Sequence, residues 1–119
     1  MANPVVHFEV LGKDADGLKR FYSEAFGWEM QDVGEGVPYA MVARSDGGIG
    51  GGIGVGEEGY DGHVTFYVQV DDIEPALEKI KSLGGSPIGP AMDVPGGGRI
   101  ALFNDPEGHR VGLFKPPAG

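Results

Sequence analysis

The sequence predicts an α+β domain built from two copies of one unit, a strand, a helix and then three strands. Three observations carry this. A helical apolar stripe occurs twice, as Leu18, Phe21, Tyr22, Ala25 and Phe26 and as Ile73, Ala76, Leu77, Ile80 and Leu83. Each stripe follows an alternating strand and an Asp, and each ends at a Gly. Aligning Gly27 with Gly84 gives an offset of 57 residues, which also brings Asp14 onto Asp71.

The elements follow in chain order. Val5 to Val10 is a strand, with Phe8 and Val10 alternating against His7 and Glu9. Asp14 and Asp16 offer an N-cap for the first helix, which Gly27 ends. Trp28 to Gln31, Pro38 to Arg44 and Gly48 to Val55 are the next three strands. In the second half, Val64, Phe66, Val68 and Val70 alternate with Thr65, Tyr67 and Gln69. Asp71 and Asp72 cap the second helix, in which Pro75 is tolerated because it lies in the first turn. Gly84 and Gly85 end it. Ser86 to Ile88, Arg99 to Phe103 and Arg110 to Phe114 are the closing strands. Asp105-Pro106-Glu107-Gly108 has the residues of a tight turn, and Gly96-Gly97-Gly98 reads as a hairpin loop.

At 119 residues the chain has room for one domain. A net charge of −9 argues against nucleic acid, whose phosphates need a basic patch, and against an anionic membrane surface. No apolar run approaches membrane-spanning length. No charged-then-apolar leader pattern opens the chain, so the expected compartment is the cytoplasm. Cysteine is absent, which removes disulfides, thiolate catalysis and Cys-zinc sites. Eight of the 23 glycines fall between Gly47 and Gly59. That stretch lacks the Lys-Ser/Thr of a phosphate loop. Glycine in a strand marks close approach of a backbone or a ligand.

Two such units, with His7 and His63 near their first strands, resemble the vicinal oxygen chelate superfamily of glyoxalases, bleomycin-resistance proteins and extradiol dioxygenases. The resemblance rests on His7-Phe8-Glu9-Val10, Phe21-Tyr22 with Phe26-Gly27-Trp28, Phe66 to Asp72, and Ala101-Leu102-Phe103 leading into Asp105 to Gly108. The run Gly47 to Gly52 is similar to the glycine-rich fourth strand of a glyoxalase-like branch. It implies one domain over residues 1–119 with βαβββ modules at 5–56 and 63–115, curved mixed sheets around a concave cavity, and a homodimer.

Metal-using members of that group place His or Gln on the first strand of each half and Glu on the last. His7 and His63 match the histidine positions. The glutamate positions fall on Gly50 or Gly52 and on Gly112, because Ile49, Ile53, Val111 and Leu113 have the parity that packs inward. Both expected carboxylates are missing. Two imidazoles make a poor site for a hard divalent ion. Glu9 lies roughly 6–7 Å along the strand from His7, too far to share an ion without distortion. The expectation is no cofactor, with a divalent metal at His7 and His63 as the alternative. On this reading the two glycines are vacancies, and Gly52→Glu with Gly112→Glu would complete a four-ligand site.

The same parity lines the concave side with His7, Glu9, Tyr39, Met41, Thr65, Tyr67, Gln69, Arg99, Ala101, Phe103 and Phe114. That is an apolar and aromatic wall with a few polar groups, as small-molecule pockets have. Tyr39, Met41, Thr65, Tyr67, Gln69, Arg99, Phe103 and Phe114 are the expected ligand contacts. Arg99 is the cation for a ligand carboxylate. His7 and Glu9 are the acid–base candidates, since His titrates nearest neutrality. Three readings stand open: a metal-poor binder of a small apolar or aromatic molecule, a divalent-metal lyase, isomerase or dioxygenase, and an accessory module whose cavity is filled by its own side chains.

Overall fold

The computed structural model describes residues 2–34, 36–56, 62–94 and 97–117. The end of the glycine-rich stretch, from Glu57 to Gly59, and Gly96 of the expected hairpin loop lie outside the described residues. The order is β1 (Val5–Gly12), α1 (Ala15–Phe26), β2 (Met30–Asp32), β3 (Tyr39–Val42), β4 (Gly50–Val55), β5 (His63–Gln69), α2 (Ile73–Ser82), β6 (Ser86–Asp93), β7 (Arg99–Asn104) and β8 (Arg110–Lys115). The strand–helix–three-strand unit thus occurs twice.

The chain forms two compact units, His7–Thr65 and Phe66–Gly119 with Met1–Val6. In the N-terminal half the strand order is β2-β3-β4-β1, and β1 runs parallel to β4. In the C-terminal half it is β5-β8-β7-β6, and β5 runs parallel to β8. All other pairings within each half are antiparallel.

Each helix covers one face of its own strands. Val10, Val42 and Ile53 form the first core, with Phe8, Leu18, Tyr22, Trp28 and Met30 packed against it. Trp28 stacks on Tyr22 with ring centroids 5.0 Å apart. It therefore belongs to this core and not to β2, which starts at Met30. The α1 stripe is only half used. Leu18 and Tyr22 pack inward, while Phe21 and Phe26 remain 61% and 63% exposed. The second core is Ile73, Ala101 and Leu113, with Val68, Val70, Ala76, Leu77, Ile80, Ala91 and Phe103 around it.

The helix ends follow the sequence with one exception. Asp14 accepts the Gly17 N–H at 2.9 Å and caps α1. Asp72 makes no such bond at α2. Its carboxylate takes Lys115 Nζ at 3.0 Å instead. Strand β6 extends to Asp93, beyond the expected Ile88, through an irregularity between Ile88 and Met92 where Gly89 has φ +66°.

Gly27 sits at φ +71° and ψ +21°, and its N–H donates to the Ser23 carbonyl at 2.8 Å. Nothing lies within 4 Å of a Cβ at this position. Any cost of a side chain there is therefore conformational. Gly27→Val is expected to lose about 1–2 kcal/mol, with Gly27→Asn losing less, because the left-handed region is closed to branched side chains. Urea unfolding midpoints of the two variants check this.

Candidate functional site

The register of the strands decides which side chains share a face. In the N-terminal half His7 pairs with Gly50, Glu9 with Gly52, Tyr39 with Gly54 and Met41 with Gly52. Paired residues point to the same side of a sheet. His7, Glu9, Tyr39 and Met41 therefore stand together, opposite the core residues Val10, Ala40 and Ile53. The three glycines of β4 leave that face without side chains of its own.

Tyr39 fills the space they leave. A Cβ built on Gly52 would overlap the Tyr39 hydroxyl and ring, and one on Gly54 would meet Tyr39 Cδ1 at 2.6 Å. Gly51, on the other side, leaves room for the Phe8 ring in the core. The close approach signalled by the glycine-rich strand is thus an approach of the protein's own aromatic rings.

The Tyr39 hydroxyl donates to Glu9 Oε2 at 3.0 Å and lies 3.0 Å from His7 Nε2. Glu9 Oε1 lies 3.2 Å from His63 Nε2. One proton arrangement satisfies all three contacts. With the tyrosine O–H pointing at Glu9 Oε2, His7 Nε2–H donates to the tyrosine oxygen, and His63 Nε2–H donates to Glu9 Oε1. The Glu9 and His63 side chains are 11% and 8% exposed. A carboxylate so buried is held by donors on both oxygens. Burial pulls the His7 pKa below its usual value, against the opposing charge of Glu9, so the imidazole is neutral at pH 7.

His7 and His63 therefore reach different partners, Tyr39 and Glu9. Among the described residues no group of three or more His, Asp or Glu side chains is placed to hold a metal ion. The two glycine positions are not vacancies. Tyr39 occupies the one at Gly52, and a Cβ on Gly112 would overlap the Tyr67 ring. A glutamate at either position would first have to displace a tyrosine, Tyr39 at position 52 and Tyr67 at position 112.

In the C-terminal half Tyr67 pairs with Gly112 and Gln69 with Phe114, so these side chains share the expected face with Thr65. Thr65 and Tyr67 are buried. The Gln69 backbone bonds Asn3 and Pro4.

Arg99 and Phe103 do not join them. Leu102 pairs with Gly112 and Ile100 with Phe114, so Ile100 and Leu102 take the face assigned to Arg99, Ala101 and Phe103. Ala101 is fully buried in the α2 core and Phe103 packs against that core. Arg99 reaches toward α2, where it grips Glu74 through two bonds of 3.1 and 2.9 Å. It is thus a surface ion pair on the helix side. The cation sharing the Tyr67 and Gly112 face is Arg110, which alternates in phase with Gly112 along β8. Sequence reasoning missed it because Arg110 opens the strand directly after a turn. His109, in that turn, is largely exposed and bonds Asp105.

A cleft of about 220 Å³ lies at the start of α1, among Lys13, Asp14, Lys19, Pro38, Tyr39, Ile53 and Val55. Ile53 and Val55 have the core-facing parity of β4. The cleft shares Tyr39 with the face that carries His7 and Glu9.

Residues 5–113 match the model of the glyoxalase/bleomycin resistance protein/dioxygenase superfamily. The chain belongs to this superfamily. Among its curated relatives is a putative glyoxylase, CFP32, of Mycobacterium bovis, 30% identical over 108 residues. That match covers 86% of this chain and 41% of the relative. The anthracycline biosynthesis protein DnrV of Streptomyces peucetius is 27% identical over 91% of this chain and 45% of its own length. The glyoxalase-like chain thus spans less than half of these two relatives. Its fold is that of methylmalonyl-CoA epimerase. The Mycobacterium tuberculosis structure superimposes with a TM-score of 0.73 at 15% identity, covering 96% of this chain and 88% of that one. A complex of such an epimerase with methylmalonyl-CoA and NH4+ gives 0.71 at 20% identity, covering 99% and 97%. No helix among the described residues is long and apolar enough to cross a membrane.

Two expectations follow from the geometry. Because the folded His7 pKa is depressed, the unfolded chain binds more protons as pH falls below the ordinary value of 6.5. Stability should be full above that value and decline as the pH drops through it. Thermal melts from about pH 8 to 5 should show a shallower decline for His7→Gln. Separately, Gly112→Ala should cost about 1–3 kcal/mol by overpacking against Tyr67. The cost should shrink in a Tyr67→Ala background, which a double-mutant cycle by denaturant unfolding measures.

Proposed function

We propose that this glyoxalase-like chain binds a small apolar or aromatic molecule on the N-terminal face that carries His7, Glu9, Tyr39, Met41 and His63, and that it does so without a resident metal. One observation carries the reading. The Tyr39 ring lies where the resemblance places a ligating carboxylate, and its hydroxyl ties up His7 and Glu9. Met41, 46% exposed on the same face, adds apolar contact area. Neutral His7 and the buried Glu9 carboxylate are the groups able to accept or relay a proton from a bound molecule. DnrV is by name an anthracycline biosynthesis protein, which makes a planar aromatic probe the first to try.

The C-terminal half favours a second role for its own face. Tyr67 is 7% exposed and covers Gly112. That face is filled by its own side chain and fits the accessory reading.

Purified protein is expected to contain far less than one transition-metal ion per chain, with a melting temperature unchanged by EDTA. An anthracycline, followed by its own fluorescence, should bind and should lose about tenfold in affinity in Glu9→Gln, the scale of one hydrogen bond to a charged group. Arg99→Ala should leave binding unchanged. Stoichiometric metal whose removal lowers the melting temperature would overturn the metal-free reading in favour of a metal-dependent lyase, isomerase or dioxygenase.

A further inference from the structure

We infer that Tyr39 is a built-in occupant of the ligand site, and that the site is shaped for a phenol. The inference rests on the proposed N-terminal ligand face and names the class of molecule that face takes.

Gly52 and Gly54 lie on one side of β4, and a Cβ on either would meet the Tyr39 ring. The backbone therefore offers a trough as long and flat as one aromatic ring. With His7 in its Nε2–H tautomer, a donor and an acceptor stand at its end. His7 Nε2 and Glu9 Oε2 each lie 3.0 Å from the same hydroxyl oxygen. A group that fits must both give and take a hydrogen bond at one atom. A hydroxyl does this. A carboxylate would face the Glu9 charge, and an ammonium would have nothing to accept the His7 proton. A flat ring ending in a hydroxyl is a phenol, and the tyrosine side chain is p-cresol on a tether.

The tether makes Tyr39 a competitor. An attached group competes at an effective concentration in the millimolar range or above. A free phenol would replace bonds of the same kind, so it gains little unless Tyr39 leaves. Tyr39 heads β3, directly after Pro38, and its ring is only partly buried. The rest of the network stays behind when it leaves. His63 still donates to the other Glu9 oxygen, so Glu9 remains held and ready to accept.

The test uses p-cresol and toluene as probes on the wild-type chain, Tyr39→Ala and Tyr39→Phe. Calorimetry should show p-cresol binding Tyr39→Ala about tenfold tighter than wild type, and about tenfold tighter than toluene binds that variant. Tyr39→Phe keeps the ring in the trough and should bind neither probe. Equal affinity of Tyr39→Ala for p-cresol and toluene would mean an apolar hole without hydroxyl recognition, and would overturn the inference. So would equal p-cresol affinity in wild type and Tyr39→Ala. Should Tyr39→Ala not fold, wild-type protein with 13C-labelled tyrosine and histidine decides. With p-cresol up to about 10 mM, the Tyr39 and His7 signals should move together while those of Tyr22 and Tyr67 stay. Unmoved Tyr39 and His7 signals overturn the inference. The metal content of the same samples tests the broader reading separately. A metal-free protein that ignores p-cresol loses only the phenol assignment, whereas a stoichiometric metal removes the face on which it rests.

Discussion

The Tyr39 ring can lie against β4 only because positions 52 and 54 carry no side chain. The rest of the N-terminal face is arranged around that contact. With the ring in the trough, its hydroxyl reaches both Glu9 and His7, and the carboxylate of Glu9 gains a donor it needs so far from water. His63 supplies the donor on the other oxygen. If position 52 carried a side chain, the ring could not sit there and Glu9 would lose its tyrosine partner. A glycine-rich strand, costly in backbone entropy, is thus the condition for a buried polar network.

The two halves use one device for different ends. Each leaves a glycine on the last strand of its unit and covers it with a tyrosine. In the C-terminal half Tyr67 comes from β5, the neighbour of β8, and its ring is buried over Gly112. In the N-terminal half Tyr39 comes from β3 and its hydroxyl is bound by titratable groups. The same superfamily scaffold therefore covers its glycines with a hydroxyl-bonded tyrosine in one half and with a buried tyrosine ring in the other. This accords with a fold that hosts many chemistries through changes at a few positions.

Charged residues outside the network secure the helices. Arg99 bonds Glu74 on α2, Lys115 bonds Asp72 before α2, and Lys19 on α1 lies 3.1 Å from Asp32 at the end of β2. These are exposed pairs, each contributing little singly. The burial of Ile53 beneath α1, and of Ile73 of α2 against Ala101 and Leu113, stabilises the two halves more than these pairs do.

The sequence by itself determined what local periodicity can encode: the repeated unit, the strand and helix positions, the Asp14 and Gly27 helix ends, and the parity of β1 and β8. Those patterns arise from residues a few places apart, and they carried the family resemblance. Tertiary structure decided the rest. The phase of β7 was not legible, because Ile100 and Leu102 are as apolar as Ala101 and Phe103. Only pairing with β8 shows which set faces α2. The exposure of Phe21 and Phe26 was equally hidden, since an apolar stripe does not reveal how wide a surface awaits it. Above all, the sequence showed glycines where carboxylates were expected but not what stood over them. That depends on Tyr39 pairing with Gly54 across a β3–β4 register, a long-range contact that no spacing along the chain specifies.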